Sequence, residues 1–350
     1  MVPENENTTN EVRQMRMPKI QQLPPKKMRK EILKLIICPQ CKSKLSLKTN
    51  YPEEQIKEGF LECNNCLKNY EIKNGVPNLL LKQKSNLTQK SFSYEWQKYT
   101  RFYDKEYTSQ FWEWLTPLTP TFTKNKIVLD AGCGNGRHAL ISSNHAKTVI
   151  GVDFSDSVYT AYELTHQKKN VHILKADIAN LPFKKNTFDS IYSIGVLHHT
   201  PNMTCICKKL ITFSKKKGTL FVWVYGLNTL LKYFLPLKRV LNKMPHSVIW
   251  LASYPIGLAI RMLGKTLLLF DTKNFPENEF LKYLAKLPAH VTFNTVFDQV
   301  TAPIAHYLSE KQAITMMKRA GKNYFSELIP RNDNSWKMIF YKSKEVIGEK

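Results

Sequence analysis

The chain opens without the apolar stretch that a secretory leader requires: MVPENENTTNEVRQMRM is polar throughout. That argues against export and for a cytoplasmic location. Acidic side chains are scarce, with 28 Asp and Glu against 52 Lys and Arg, giving a formal charge of +24. Such a field disfavours cationic partners and favours phosphate-bearing ones, either nucleic acid or an anionic membrane surface. A lysine-rich proteome would produce the same excess, and net charge bears on association and solubility rather than on fold. No internal repeat is present, and no apolar run is long and clean enough for an ordinary membrane span. The nearest is VIWLASYPIGLAIRMLGKTLLLF from Val248 to Phe270, which Arg261 and Lys265 interrupt and Pro255 and Gly257 weaken. A helix buried in a cap, or one lying on the inner face of a membrane, fits it better. Nothing in the sequence calls for an obligate protein partner.

What is present divides the chain into six parts. Residues 1–32 read as a basic tail, with Pro24-Pro25 followed by Lys26, Lys27, Arg29 and Lys30. A cysteine module follows over 33–82, then an aromatic-rich helical linker over 83–124 that Pro117 and Pro120 terminate. Residues 125–226 alternate short Val- and Ile-rich runs with helix-sized spacers: IVLDAG, VIGVDF, VHILKAD, FDSIYSIGV and GTLFVWVYG. These predict parallel strands buried on both faces of an α/β sheet. Residues 227–308 break the pattern as an apolar helical insertion, and 309–345 resume it. There Ser309 and Gln312 form a capping box, Gly321 closes the helix, and Ala313, Ile314, Met317 and Ala320 share one face before the strands FSELI and WKMIFYK.

Seven cysteines are too few and too clustered for a disulfide scaffold, and four of them form the pairs Cys38-Pro39-Gln40-Cys41 and Cys63-Asn64-Asn65-Cys66. Each turn aims two thiolates at one point, and two turns complete a tetrahedral zinc site. With four cysteine ligands and no open position, the metal is expected to be structural. Cys133, Cys205 and Cys207 are assigned no metal.

The strongest signal is Val128-Leu129-Asp130-Ala131-Gly132-Cys133-Gly134-Asn135-Gly136-Arg137, a strand end running into a helix. Glycines at 132, 134 and 136 let backbone pass close to a ligand, and a helix opening near Asn135 suits a carboxylate. Asp153 closes the next strand, 23 positions after Asp130, where a carboxylate accepts hydrogen bonds from ribose hydroxyls. Asp177 and Ile178 follow the third strand, at an adenine edge. The glycine spacing is shorter than the GxGxxG of nicotinamide-dinucleotide proteins.

From Ile127 to Gly226, down to FDSIYSIGVLHHTPN, the chain resembles the class I, Rossmann-like S-adenosylmethionine (SAM)-dependent methyltransferases. The resemblance implies that Asp130 and Gly132 lie near the methionine end, Asp153 holds the ribose and Asp177 faces adenine. Gly134, Gly136, Phe154, Ile178, Ser193 and Gly195 complete the expected cofactor set. It also implies that acceptor and sulfonium meet after the fourth strand, which makes His198, His199 and Tyr225 the candidates for base or acceptor positioning. The fourth strand ends Ser193-Ile194-Gly195-Val196 rather than Asn/Asp-Pro-Pro-Tyr, so the pattern looks like methyltransferases of quinone and other small-molecule pathways and not those acting on exocyclic base amines. The cysteine module resembles the small zinc-ribbon proteins that activate tRNA, rRNA and protein methyltransferases. FSYEW, VFDQVTAPIAHYLSE and NDNSWKMIFYK extend the likeness to bacterial fusions of the two. Ser93 and Lys216-Lys217-Gly218 depart from that pattern. The expectation is therefore a methyltransferase acting on a small-molecule, lipid-linked or saccharide acceptor. The alternatives are an RNA methyltransferase that binds nucleic acid through its ribbon and basic surface, or an inactive SAM-binding scaffold.

Overall fold

The computed structural model describes residues 28–50, 56–81, 94, 105–227, 238, 240–270, 278–322 and 324–342. The basic run at 24–27 and most of the aromatic run at 92–103, Ser93 included, lie outside them.

The cysteine module is a four-stranded antiparallel sheet of β1 (Leu45–Lys48), β2 (Gly59–Cys63), β3 (Asn69–Lys73) and β4 (Val76–Pro77). Alternation builds it: in β3, Tyr70 and Ile72 are buried while Asn69, Glu71 and Lys73 face water. Described residues before position 33 also pack against the module and the main sheet. Met28 bridges Ile56, Ile32 is buried in a short 3-10 turn, and the Arg29 guanidinium donates to the carbonyls of His166, Lys168 and Val171.

The main sheet has seven strands in the order β10-β11-β9-β8-β5-β6-β7. They are β5 (Ile127–Ala131), β6 (Thr148–Asp153), β7 (Val171–Lys175), β8 (Phe188–Ile194), β9 (Ser214–Tyr225), β10 (Phe325–Arg331) and β11 (Ser335–Tyr341). β7 through β9 pair in parallel, and the closing hairpin sets β11 antiparallel to β9. Helices α1 (Lys105–Leu115), α2 (Arg137–Ser142), α3 (Ser157–Thr165) and α4 (Met203–Phe213) flank it. The chain runs from β5 outward to β7 and returns to β8 on the other side of β5. The crevice at the carboxyl ends of β5 and β8 is therefore the switch point where such sheets bind ligands.

The ribbon closes the β7 edge. Asn78 pairs with Lys175 in parallel and Leu79 N donates to Lys175 O at 2.7 Å, so that carbonyl of the edge is occupied. Ile32, Leu61, Ile72 and Leu79 share one apolar core with Leu174, Leu181 and Phe183.

The insertion forms α5 (His246–Leu269), α6 (Asn278–Lys286) and α7 (Ala289–Thr301). Gly257 and Gly264 let α5 approach closely, since a Cβ on either would fall within 2.4 Å of Phe293 or 2.3 Å of the Leu281 carbonyl. Arg261 turns inward, donating to the carbonyls of Leu284 and Leu287. The opposite face is apolar and open, with Leu251, Met262 and Leu269 at 72, 63 and 80% exposure. α8 (Glu310–Ala320) carries the expected capping box, but Ile314 is exposed and Met316 takes its place on the buried face.

Candidate active site

The loop after β5 is shaped by contacts that forbid side chains. Gly132 has φ +92°, and a Cβ there would lie 2.4 Å from Val196 Cγ2. Gly136 has φ +84°, with Ala161 Cβ 2.8 Å from the corresponding position. Gly136 caps α2, which starts at Arg137 rather than near Asn135 and is only six residues long.

A cavity of about 380 Å³ opens over this loop. Gly132, Gly134, Asp153, Phe154, Asp177, Ile178 and Gly195 of the expected cofactor set line it, and His199 joins them. Asp153 Oδ2 accepts from Gly134 N at 3.1 Å, and Oδ1 accepts from Ser155 N and Oγ at 2.9 and 2.7 Å. Burial pushes its pKa up, and the Ser155 hydrogen bonds oppose the shift. Asp177 caps the 3-10 turn Ile178–Asn180 through Ala179 N and stays exposed at the cavity.

Three members of the set stand behind the wall. Gly136 serves the turn, and Ser193 Oγ donates to Ala131 O at 2.8 Å. Asp130 is 1% exposed; burial pushes its pKa up to about 8, against a hydrogen bond from Tyr192. Its Oδ2 has no hydrogen-bond partner among the described residues. A crevice lined by the glycine loop and Asp153 fits a ligand bearing a ribose, with Asp130 behind its wall.

The catalytic candidates separate. His198 is fully buried, 3.9 Å from the Tyr225 ring by centroid, and lines neither this cavity nor the next; burial holds its pKa well below the usual range. His199 Nδ1 lies 2.6 Å from Ile304 O, and burial lowers its pKa as well. Tyr225, at the end of β9, donates its hydroxyl to Asp298 Oδ2 at 2.5 Å.

Asp298 comes from α7 and was not legible as a site residue; its one signal is a lone carboxylate in the apolar run VFDQV. It belongs to a second cavity of about 140 Å³ between the sheet and the insertion, lined also by Trp114, Trp223, Tyr225, Arg331 and Asn334. Arg137, Ile194 and Gly195 line both cavities, so the two meet after β8.

The four ribbon sulfurs lie within 4.8 Å of one another, with Cys38 to Cys66 at 3.7 Å and Cys41 to Cys63 at 3.3 Å. A tetrahedron with zinc–sulfur bonds of about 2.3 Å has edges of about 3.8 Å. The cluster is compatible with zinc, and the Tyr70 hydroxyl, 3.1 Å from Cys38 Sγ, adds a hydrogen-bonding group beside it.

Strand order and glycine loop define the class: a Rossmann-like methyltransferase fold. Residues 129–222 match the family described as "Methyltransferase domain". Among curated proteins, the tRNA U34 carboxymethyltransferase of Vibrio cholerae is 36% identical over 104 residues, covering 27% of this chain and 31% of the relative. The corresponding Cellvibrio japonicus protein is 34% identical over 102 residues, with the same coverage of 27% and 31%. The chain thus spans about a third of the length of the curated relatives it matches. Among solved structures, the N-methyltransferase NodS of Bradyrhizobium japonicum is 11% identical, with 73% of this chain and 98% of that one covered and a TM-score of 0.42. A SAM-dependent methyltransferase of Aquifex aeolicus is 13% identical, with 69% and 100% covered and a TM-score of 0.38.

Proposed function

We propose that the protein transfers the methyl group of SAM to a small-molecule, lipid-linked or saccharide acceptor by in-line displacement. The observation that carries this reading is the junction at Gly195, where the cavity over the glycine loop meets the cavity roofed by the insertion. SAM supplies a methyl group already activated on a sulfonium, so the protein's main task is proximity and orientation. Asp153 would accept the ribose hydroxyls, and Asp177 and Ile178 would meet adenine. Tyr225 and Asp298 form a path for a proton leaving an acceptor hydroxyl or amine, and His199 is the second candidate for that role. The four cysteines would hold a structural zinc ion.

The second cavity, the apolar insertion and the Gly195-Val196 ending of β8 favour a small acceptor of the kind used in quinone-like pathways. The open apolar face of α5 and the charge of +24 further support work at the inner surface of an anionic membrane, where a lipid-linked acceptor resides. A second reading, RNA methylation, draws on the same charge and on the tRNA-modifying relatives. Incubation with methyl-labelled SAM and a cell extract separates them. Label in the organic-soluble or small polar fraction is expected, and ribonuclease-sensitive label in RNA would overturn the small-acceptor reading.

A further inference from the structure

The insertion buries only one side of α5, along the line of Ile249, Ser253, Gly257, Gly264 and Leu267. Against that line α6 and α7 run back along the helix. Leu281 and Ala285 approach Gly264, Phe293 approaches Gly257, and the Trp250 and Phe297 rings lie 5.8 Å apart. The other side carries Leu251, Leu258, Met262 and Leu269, which recur at intervals of seven, four and seven and so fall on one stripe. All four are more than half exposed, and Val248 and Phe270 extend the apolar surface at the two ends. A continuous apolar patch of this kind marks an interaction surface.

Charge selects the partner. The 24 residues from His246 to Leu269 contain no Asp or Glu. Lys265 is exposed beside the stripe, and Lys243 is exposed just before the helix. A second copy of a chain carrying +24 would set like charge against like. An anionic bilayer instead offers acyl chains to the stripe and phosphates to the lysines. Lysine stems lie along apolar surface while their ammonium groups reach the headgroups. The helix does not cross the bilayer. Its inner line is sealed by α6 and α7, which carry Lys282, Lys286, Asn294 and Asp298, and Asp298 accepts from Tyr225 of the main sheet. A span would draw those polar groups into hydrocarbon, which is costly, whereas a helix lying flat buries the stripe alone.

We propose that α5 is a membrane-docking helix. It lies parallel to an anionic bilayer, with Leu251, Leu258, Met262 and Leu269 in the acyl boundary and Lys243 and Lys265 at lipid phosphates. The proposal deepens the small-acceptor reading and rests on it in one respect, that docking serves a lipid-linked acceptor. Arg261 carries the connection: it donates to the carbonyls of Leu284 and Leu287, and both of those residues line the second cavity. The helix that meets lipid is thereby bonded to the wall of the proposed acceptor cavity.

Flotation of the full chain with vesicles tests this, comparing phosphatidylglycerol mixed into phosphatidylcholine with phosphatidylcholine alone. Binding about tenfold tighter to the anionic vesicles is expected. Leu251→Gln combined with Met262→Gln keeps the charge and suits a helix, and should weaken that binding about tenfold or more with the melting curve unchanged. Should the double variant melt early, Leu269→Gln at the open end of the helix replaces it. Lys265→Gln should weaken binding about fivefold. No binding, or binding that the double variant keeps, overturns the proposal, because charge elsewhere on the chain would then hold the vesicle. A dimer in sedimentation velocity that the double variant dissolves also overturns it and gives the stripe to a second copy. Docking is read without turnover. Vesicle binding lost in the double variant therefore supports it even if methyl label goes to RNA, a result that would overturn the small-acceptor reading alone.

Discussion

Tyr225 and Asp298 are 73 positions apart in the chain and 2.5 Å apart in space, the phenol at the end of β9 donating to a carboxylate on α7. The insertion therefore does more than cover the sheet: it brings a proton acceptor to the strand end where the acceptor substrate is proposed to sit. Asp298→Asn and Tyr225→Phe should each lower kcat about a hundredfold, and the double variant should be little worse than either. Affinity for S-adenosylhomocysteine should not change. Full turnover in both variants would leave proton removal to His199 or to water.

Asp153→Ala removes the carboxylate that receives Gly134 N and both Ser155 donors. Cofactor affinity should fall about tenfold to a hundredfold, as for loss of hydrogen bonds to a charged group. Equilibrium dialysis with labelled SAM measures it. Methyl transfer that disappears with binding also disposes of the inactive-scaffold reading.

Gly132→Ala tests the shape of the loop. The new Cβ meets Val196 Cγ2 at 2.4 Å and is held at φ +92°, so both a lower melting temperature and weaker cofactor binding are expected. Adding Val196→Ala relieves the clash but not the backbone strain, of order 1–3 kcal/mol. Calorimetric scanning of the pair should show partial recovery.

Metal removal should be felt beyond the ribbon. Chelation, or Cys63→Ser, is expected to release one zinc ion per chain and to cost the module folding energy on the order of 10 kcal/mol. Because Leu79 N donates to Lys175 O, the Leu79 amide should then exchange faster with solvent. Unchanged protection at Leu79 would separate ribbon from sheet.

Acid should loosen the fold through histidines that burial keeps neutral. His172 is pushed down to about 4, by burial first and then by Arg29. Between an unfolded value of about 6.5 and that folded value, only the unfolded chain takes the proton, so stability falls as pH drops across this window. Burial lowers His138, His198 and His199 in the same sense. Asp130, raised to about 8, acts oppositely, so the comparison that isolates His172 is urea unfolding of His172→Gln against the parent. The variant should lose less stability between pH 6.5 and 4, in keeping with the linkage relation.

Much of the fold was legible because local chemistry dictates it. The Val- and Ile-rich runs, the glycines and the strand-end carboxylates Asp153 and Asp177 announce a parallel sheet and the crevice at its switch point. The paired CxxC turns announce their own convergence, and Ser309 with Gln312 announces the start of α8. These are short-range signals, set by backbone conformation and by spacing along one segment.

Only the tertiary structure decided which of these residues meet an open cavity. Asp130, Ser193 and His198 look like site residues along the chain, yet packing places them behind the wall. Trp114, Trp223, Asp298 and Arg331 carry no motif and converge on one void because α1, β9, α7 and the β10–β11 hairpin do. The physical reason is range: hydrogen-bond geometry and side-chain period act over a few residues, whereas which polar groups end up without a partner depends on how distant elements pack.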